Sequence, residues 1–421
     1  MLRIKEFSDI IPLPGAGVNF AGGSLHGDFC AFPCIALARW GVRVYHYAMD
    51  TEIRKKHRIA ALYRICPAAH IVGLVSAALI CLHLLTRGNK ALMIWLSYKV
   101  VQPIHRALAQ LNSRIPFSVA ETLIGAAIAF VMLCITLLVV RLIRGKGRRA
   151  VYRFFAVPIS AGLAVYAGFC MLWGVYYYGD DFITKSGLSN EPVSVEQLEQ
   201  TTRYFAELAN YYSGMVERDE TGAYVCDREK IFVESPEVFS SIEKKFPCLE
   251  GPDIAAKGIR FSRIMSYTDF TGFFFPFTAE ANVNTDFPPS LFASTVAHEL
   301  SHQRGVAKEQ EANFVAVLAC LDYGDADYCY SACLLAYVHL GNSLFTVNRD
   351  AWEEIYRSLD VGVLRDFQVN DEYWDQFETP IQTVSNAVYD GFLVSYGQTL
   401  GIRSYGACVD LLVNYFCDIQ N

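Results

Sequence analysis

The chain has 421 residues, of which 53% are hydrophobic and 14% aromatic, and its mean hydropathy is +0.23. This composition is too apolar for an ordinary soluble protein and too polar for a transporter made almost entirely of membrane helices. Residues 1–179 carry 20 Lys and Arg against 6 Asp and Glu, whereas residues 180–421 carry 16 against 37. The asymmetry indicates a basic membrane half joined to an acidic soluble half. The acidic half argues against nucleic-acid binding, which requires a basic face.

The first 60 residues contain Gly and Pro without a hydrophobic period. No apolar run of signal-peptide length follows their first basic residues. We therefore predict that residues 1–60 form a poorly ordered cytoplasmic segment, and they suggest no function.

A membrane region is predicted over residues 61–178. Its three apolar segments are each long enough to cross roughly 30 Å of hydrocarbon at about 1.5 Å per helical residue. We expect membrane helices over residues 68–86, 119–143 and 154–177. The lipid bilayer is therefore an expected partner, and the chain is expected to be a multi-pass protein of the cell membrane.

Basic residues predict the orientation of these helices. Around the short loop after the second segment lie six basic residues and no acidic one: Arg141, Arg144, Lys146, Arg148, Arg149 and Arg153. Before the first segment lie Arg54, Lys55, Lys56, Arg58 and Arg64. Because short loops rich in Lys and Arg stay in the cytoplasm, residues from about 178 onward are expected to be extracytoplasmic.

The soluble half begins with a helical pattern. Ser194 to Gln197 has the form of a capping box and precedes an amphipathic run to about Met215. Further along, Phe270–Asn284 is aromatic and contains Pro276. We predict one strand there, at the edge of a sheet, because Pro lacks the amide donor that a central strand needs.

From Leu291 onward the pattern is mainly helical, with breaks expected near Gly341, near Pro380 and over residues 397–401.

Of the 13 cysteines, seven lie beyond residue 180, so they cannot all pair within one chain. Two disulfides are conceivable in an oxidising compartment, and one Cys-x-x-x-Cys pair is a weak metal candidate because no second pair with ligand spacing follows it. The two candidate disulfides are Cys226–Cys248 and Cys408–Cys417, and the candidate metal pair is Cys329 and Cys333.

The residues that carry chemistry are His298-Glu299-Leu300-Ser301-His302. Histidines at positions i and i+4 lie on one face of a helix, so both imidazoles can bind one Zn²⁺. Glu299 can then reach a water on the metal and take its proton as general base, because zinc lowers the pKa of that water toward 7. The pattern predicts a metalloprotease helix.

A third ligand is expected after Gly305, which can end the helix and turn the chain back. Glu309 and Glu311 are the candidates, and since they are about 200° apart around a helix at most one faces the metal. The string Glu311-Ala-Asn before an apolar helix resembles the second zinc helix of glutamate-type zincins, where the Glu is a ligand. This resemblance favours Glu311, and Glu309 remains the alternative.

A group that stabilises the tetrahedral intermediate is also expected. Tyr330, Tyr337 and His339 lie on the next helical stretch and are candidates, although ordinary packing explains each of them as well. The strand near Glu280–Asn284 precedes the zinc helix, as the substrate-lining edge strand does in zincins. It is therefore expected to bind an extended peptide by strand addition.

Several strings together resemble the bacterial membrane proteins grouped as domain of unknown function 3810, over roughly residues 70–421. The resemblance implies membrane anchoring and a zinc site, and it implies no substrate. The strings are Ile115–Glu121, Met265–Tyr267, Phe275–Asn284, His298–Gly305, Glu309–Phe314, Tyr330–Ser331, Tyr373–Trp374, Gly397–Gln398 and Ser404–Gly406.

These observations predict a mainly α protein: three transmembrane helices plus an extracytoplasmic zincin-like α+β catalytic domain with a small sheet, over residues 179–421. The favoured function is hydrolysis of peptide bonds by zinc-activated water, with a peptide or protein substrate that the sequence leaves open. Amidase chemistry on cell-wall peptides is a variant of it. The alternative is a membrane sensor or scaffold that uses the zinc fold without proteolysis, although such a protein would not need Glu299. A transporter is disfavoured because the soluble half outweighs three spans.

Overall fold

The computed structural model describes residues 63–145, 147–189, 191–396 and 405–420. The segment predicted over residues 1–60 and the break expected over residues 397–401 lie outside the described residues. The same holds for four of the five basic residues expected before the first membrane helix and for Lys146.

The described chain is mainly helical with a three-stranded sheet. Its α-helices are α1 (Pro67–Thr86), α2 (Lys90–Leu96), α3 (Gln102–Asn112), α4 (Val119–Ile143), α5 (Gly147–Leu172), α6 (Phe182–Ser186), α7 (Val195–Ser213), α8 (Arg228–Glu234), α9 (Ile242–Lys245), α10 (Ser262–Ser266), α11 (Phe292–Gln303), α12 (Glu309–Tyr323), α13 (Ala326–Val347), α14 (Arg349–Arg357), α15 (Val361–Asp375), α16 (Pro380–Ser395) and α17 (Tyr405–Gln420). The strands are β1 (Lys257–Ile259), β2 (Gly272–Phe275) and β3 (Glu280–Asn284).

Three of these helices, α1, α4 and α5, are long and apolar enough to cross a membrane. The third begins at Gly147, seven residues before the expected start, and ends at Leu172 instead of Tyr177. Its basic first turns are helical because Arg is a good helix former, so charge does not set the helix start. After Leu172 the chain tightens into a short 3₁₀ turn over Gly174–Tyr178.

The chain divides into two compact units. In the described residues, one unit contains residues 75–133 and 162–421, and the other contains residues 63–74 and 134–161. The smaller unit joins the start of α1 to α5 through a hydrogen bond between His70 Nε2 and the Tyr152 hydroxyl, 2.6 Å long, and through Arg153, which donates to the Ile65 carbonyl. The larger unit contains the sheet and helices α6 to α17.

The aromatic stretch that was predicted as one edge strand is a hairpin of two strands, so that prediction was wrong. Pro276 lies in the turn between β2 and β3, where Ala279 has a φ of 55°. The sheet order is β1-β3-β2, with β1 parallel and β2 antiparallel to β3. Since β3 is paired on both sides, it is the central strand, and the proline is accommodated because it lies outside the ladder.

The core of the domain is built from α7, α11, α12, α13 and α17 packed against the sheet. The predicted capping box is confirmed: Ser194 and Gln197 cap α7 reciprocally. The break expected at Gly341 was wrong, because α13 continues to Val347 and Gly341 gives room to the Tyr337 and Trp352 rings. Pro380, by contrast, is the first residue of α16, a position where its missing amide hydrogen has no helical acceptor.

The first turn of α4 is bound directly to the sheet. Glu280 of β3 accepts hydrogen bonds from the backbone amides of Val119 (3.1 Å) and Ala120 (2.8 Å), and its charge is matched by Lys257 of β1 at 2.6 Å. Glu121 in turn accepts the amide of Phe261 at 2.8 Å. An acidic group at a helix N-terminus is favoured by the helix dipole, so these bonds fix the start of a candidate membrane helix to the domain.

Neither candidate disulfide is formed. Cys417 lies 3.4 Å from the Thr201 hydroxyl instead. Cys329 and Cys333 are buried within α13, where they pack as small apolar side chains.

Candidate metal centre

The two histidines of α11 lie one turn apart on the same helix face, as their spacing predicts. The His298 and His302 rings are 4.7 Å apart, centroid to centroid, and nearly perpendicular. The Trp173 indole contacts the His302 ring edge to face at 5.8 Å. The helix is buried on most sides, so both imidazoles are held in place by packing.

Each imidazole is oriented through its Nδ1 atom. Nδ1 of His298 is 2.8 Å from the side-chain oxygen of Asn313, and Nδ1 of His302 is 2.6 Å from the Val306 carbonyl oxygen. Both partners accept hydrogen bonds, so Nδ1 carries a proton in each ring, and Nε2 is the atom that keeps a lone pair when the ring is neutral. This is the tautomer that binds a metal, with the outer hydrogen bonds that metal-binding histidines use.

The glutamate that meets these Nε2 atoms is Glu309. Its carboxylate oxygens lie 3.3 Å from Nε2 of His298 and 3.7 Å from Nε2 of His302, and the Tyr389 hydroxyl donates to it at 2.8 Å. One ligand atom from each of His298, His302 and Glu309 lies within 4.8 Å of the others.

The preference for Glu311 is therefore corrected. Glu311 accepts the Phe182 amide at 2.9 Å and faces Lys308 at 3.7 Å, away from the histidines. Gly305, with a φ of 85°, turns the chain after α11 so that the first residue of α12 points back to the histidines. The residue two positions later then lies on the far side of α12.

The electrostatics of the centre depend on Glu309. Burial lowers the pKa of His302, but Glu309 outweighs burial and raises that pKa to about 9. Burial alone would raise the pKa of Glu309, yet the two histidines hold it well below its usual range. The carboxylate is thus a stable anion beside two nitrogen donors, and this donor set suits a tetrahedral Zn²⁺ with one open position.

Glu299 is placed for proton transfer. Its side chain is 4% exposed, and its Oε2 atom is buried without a hydrogen-bond partner. Burial raises the pKa of Glu299 to about 7, against the opposing effect of the two histidines. The carboxylate lies against Gly272 of β2, where a Cβ atom would meet the Glu299 Oε1 atom at 2.5 Å.

The centre opens into a cavity of about 450 Å³. Aromatic rings and polar side chains both form its wall. Its lining includes Phe169, Trp173, Tyr177, Phe270, Gly272, Phe273, Phe274, His298, Glu299, His302, Glu309, Asn313, His339, Asn386, Tyr389 and Phe392. A pocket of this size and character is typical of a small-molecule or peptide site.

The candidates for transition-state stabilisation lie in different places. The Tyr330 hydroxyl donates to Asp366 and accepts from Arg218, and the Tyr337 ring stacks on Phe367, so neither belongs to the cavity wall. His339 does line the cavity. Tyr389, which sequence analysis missed, lies 80 residues from Glu309 with no motif to connect them.

The strand predicted to bind peptide is also relocated. β3 has no free edge because β1 and β2 are paired on its two sides. β2 is an edge strand of the sheet in the described residues, and Gly272, Phe273 and Phe274 on it line the cavity. Strand addition at Glu280–Asn284 is therefore ruled out by the sheet order.

A protein-family comparison matches residues 97–413 of the chain to the family described as protein of unknown function, DUF3810. The matched range includes α4, α5, the sheet and all residues of the metal centre. No curated protein and no solved structure matches the chain. The match covers most of the sequence, and the chain belongs to the DUF3810 family.

Proposed function

We propose that the chain is a membrane-anchored zinc peptidase with a zincin-like catalytic domain outside the cytoplasm. His298, His302 and Glu309 would hold the Zn²⁺, and Glu299 would serve as general base. The observation that carries the proposal is the convergence of three ligand atoms within 4.8 Å beside a buried carboxylate with an unpartnered oxygen.

When bound, zinc would supply Lewis-acid activation of water and of the substrate carbonyl. Glu299, with a pKa raised to about 7, accepts a proton near neutral pH and can return it to the leaving amine. Asn313 and the Val306 carbonyl keep the Nε2 atoms of the two histidines directed at the site. Tyr389 holds the carboxylate of Glu309 in position.

The extracytoplasmic placement rests on charge and on one set of contacts. The connector between α1 and α4 packs on the domain, through Lys90 and Asp180 at 2.9 Å and through Asn112 and the Thr278 carbonyl at 2.8 Å. These contacts support a connector and a domain on one membrane side, and a membrane-spanning α4 would carry the chain to the other side before the basic loop. By the positive-inside rule that loop is cytoplasmic.

The test is zinc content per chain of the purified full-length protein, measured by elemental mass spectrometry for wild type, His302→Ala and Glu299→Gln. We expect about one zinc in wild type and in Glu299→Gln, and little in His302→Ala, because the metal requires its ligands and not the base. Peptide hydrolysis should fall by about 10²- to 10⁴-fold in Glu299→Gln.

Absence of zinc from wild type after zinc has been supplied would overturn the proposal. Stable zinc binding without hydrolysis of any peptide in a mixed library would instead favour the sensor or scaffold function.

A further inference from the structure

The metal centre lies beside the end of a candidate membrane helix. Phe169, in the last turn of α5, and Trp173, one residue beyond its end, both line the cavity. The Trp173 ring contacts the His302 ring, with 5.8 Å between the ring centroids. One wall of the active-site cavity is thus the end of a helix that is long and apolar enough to cross the bilayer.

The inner face of α16 forms another part of that wall. Asn386, Tyr389 and Phe392 line the cavity. Phe392 packs edge to face on Phe169 at 5.6 Å, so α16 lies directly against α5. Through Tyr389 the same helix also reaches Glu309.

The outer face of α16 carries several exposed apolar side chains. Ile381, Val384 and Val388 follow one another at helical spacing and are 58%, 63% and 69% exposed, and Val394 continues the exposed surface. The only charged residue within α16 is Asp390. An amphipathic helix normally buries its apolar stripe, so a helix with apolar residues on both faces requires a second apolar environment.

A second exposed apolar surface lies next to it. Phe261, Ile264 and Tyr267, in and beside α10, are 63%, 65% and 41% exposed. The segment after α10 is joined to α16 by a hydrogen bond from the Ser385 hydroxyl to the Thr268 carbonyl, 2.9 Å long. On its other side, the Phe261 amide is bound to Glu121 at the start of α4.

We name this surface the apolar rim, and it comprises Phe261, Ile264, Tyr267, Ile381, Val384, Val388 and Val394. The rim is tied at one end to the first turn of α4 and at the other to the last turn of α5. Both helices are candidate membrane spans. A bilayer that surrounds those two helices would therefore meet the rim as well.

We propose that the apolar rim lies against the lipid bilayer and that the cavity beneath α16 opens at the membrane surface. The substrate is then a polypeptide that carries its own membrane anchor. The second statement rests on the proposed peptidase function, whereas the first rests on the rim alone. Lipid is the occupant that the rim favours over a protein partner, because the rim is bound to the ends of two candidate membrane helices and its members are apolar.

The lipid contact is tested with Val388→Trp in the full-length protein, reconstituted in phosphatidylcholine–phosphatidylglycerol vesicles with and without brominated acyl chains. Val233→Trp is the matched control. Val233 is also a helical valine and is 71% exposed, but it lies on α8, which is bound to Asp325 and Asp327 beyond the far end of α12. That end is about 20 Å from Glu309 along the helix.

We expect bromine to quench the extra emission of Val388→Trp, which should also be blue-shifted, and to leave that of Val233→Trp unchanged. Equal quenching of both residues, or of neither, would overturn the rim proposal whether or not the protein is a peptidase.

The substrate class is tested with one cleavable sequence, selected from a mixed peptide library and presented to the vesicles in two forms. One form is free and the other carries two acyl chains, which anchor it stably. We expect kcat/KM to be about 10²-fold higher for the anchored form, because anchoring raises the effective concentration at the site. Both activities should vanish in Glu299→Gln.

Equal cleavage of both forms would overturn the membrane-anchored substrate while leaving the peptidase intact. Zinc binding with no cleavage of either form would overturn the proposed function, and the quenching result would still decide whether the rim contacts lipid.

Discussion

Two buried polar clusters of the domain differ in how their charges are satisfied. In the first, which we call the Arg218 cluster, the guanidinium donates to Asp366 at 3.1 Å, and Asp366 also accepts the Tyr224 amide at 2.7 Å and the Tyr330 hydroxyl. Arg218 further donates to backbone carbonyls, among them that of Gly222 at 2.9 Å. One positive charge meets one negative charge, and the hydrogen-bonding atoms around them have partners.

The metal centre is arranged differently. Glu299 and Glu309 lie near the two imidazoles, and Glu299 keeps a buried oxygen without a partner. Buried polar groups are normally hydrogen-bonded, and the unpartnered Glu299 oxygen is one of the observations that support the proposed zinc site. None of the residues of the Arg218 cluster lines the cavity into which the metal centre opens. The Arg218 cluster therefore has the character of a structural cluster, whereas the metal centre has the features that support the proposed function.

The largest expected effect is at Glu309. Glu309→Gln should weaken zinc binding by more than about 10²-fold, beyond the loss that outer hydrogen-bond partners cause, because it removes an anionic ligand. Glu311→Gln should keep the zinc, since Glu311 faces Phe182 and Lys308. Zinc dissociation constants from competition with a chelator measure both. Loss of zinc in Glu311→Gln alone would return the ligand role to Glu311.

A substitution in the Arg218 cluster should lower the free energy of unfolding and leave zinc binding unchanged. Asp366→Leu leaves the Arg218 charge, whose side chain is 20% exposed, without its counter-ion, and we expect the free energy of unfolding to fall by about 1–3 kcal/mol. Zinc content per folded chain should stay at the wild-type value. Denaturant titration of the detergent-solubilised protein gives the first quantity and elemental mass spectrometry the second. A drop in zinc at unchanged stability would contradict the comparison.

A smaller and more local effect is expected at Gly272. In Gly272→Ala the new methyl group takes space that the Glu299 carboxylate occupies, so the base must move. We expect kcat to fall by roughly 10- to 100-fold, because misplacement of a catalytic group by about 1 Å has a cost of this order. Zinc content should not change.

Gly214→Ala is the matched control for Gly272→Ala. Its Cβ would meet only the Tyr211 carbonyl, at an ordinary 3.6 Å, and φ at Gly214 is −78°. Full activity in Gly272→Ala would mean that Glu299 does not need its observed position.

The sequence was sufficient for the parts of the site that lie within one helix. The spacing of His298 and His302 determines that they share a face, whatever surrounds them. The sequence was not sufficient to choose between Glu309 and Glu311, because that choice depends on how Gly305 turns the chain before α12 begins. The string after the turn resembled a known zinc helix and favoured Glu311, whose carboxylate lies away from the histidines.

Contacts across the fold could not be predicted from spacing. Tyr389 reaches Glu309, and Trp173 reaches His302, only because α16 and the end of α5 pack beside α11. The hairpin was missed because Pro276 was assigned to a strand instead of a turn. The three apolar helices were predictable because length and hydrophobicity alone identify such segments.

The smallest expected effect is a pH dependence of stability at Asp181. Burial raises the pKa of this carboxyl, but hydrogen bonds from Lys308 and Thr184 outweigh burial and bring the pKa to about 2. A carboxylate whose pKa is lower in the folded than in the unfolded state stabilises the fold above about pH 4, and the contribution is lost as pH falls toward 2. With side chains a quarter or more exposed, we expect about 1–2 kcal/mol.

Asp181→Asn should remove that contribution at neutral pH and flatten the loss of stability between pH 4 and pH 2. Thr184→Val, which deletes one of the hydrogen bonds, should show a smaller change in the same direction. Unfolding free energies from denaturant titrations across this range measure both variants against wild type. If stability falls equally steeply with pH in wild type and Asp181→Asn, Lys308 does not hold the Asp181 carboxylate. The start of α6 would then be fixed to α12 by the Phe182–Glu311 bond instead.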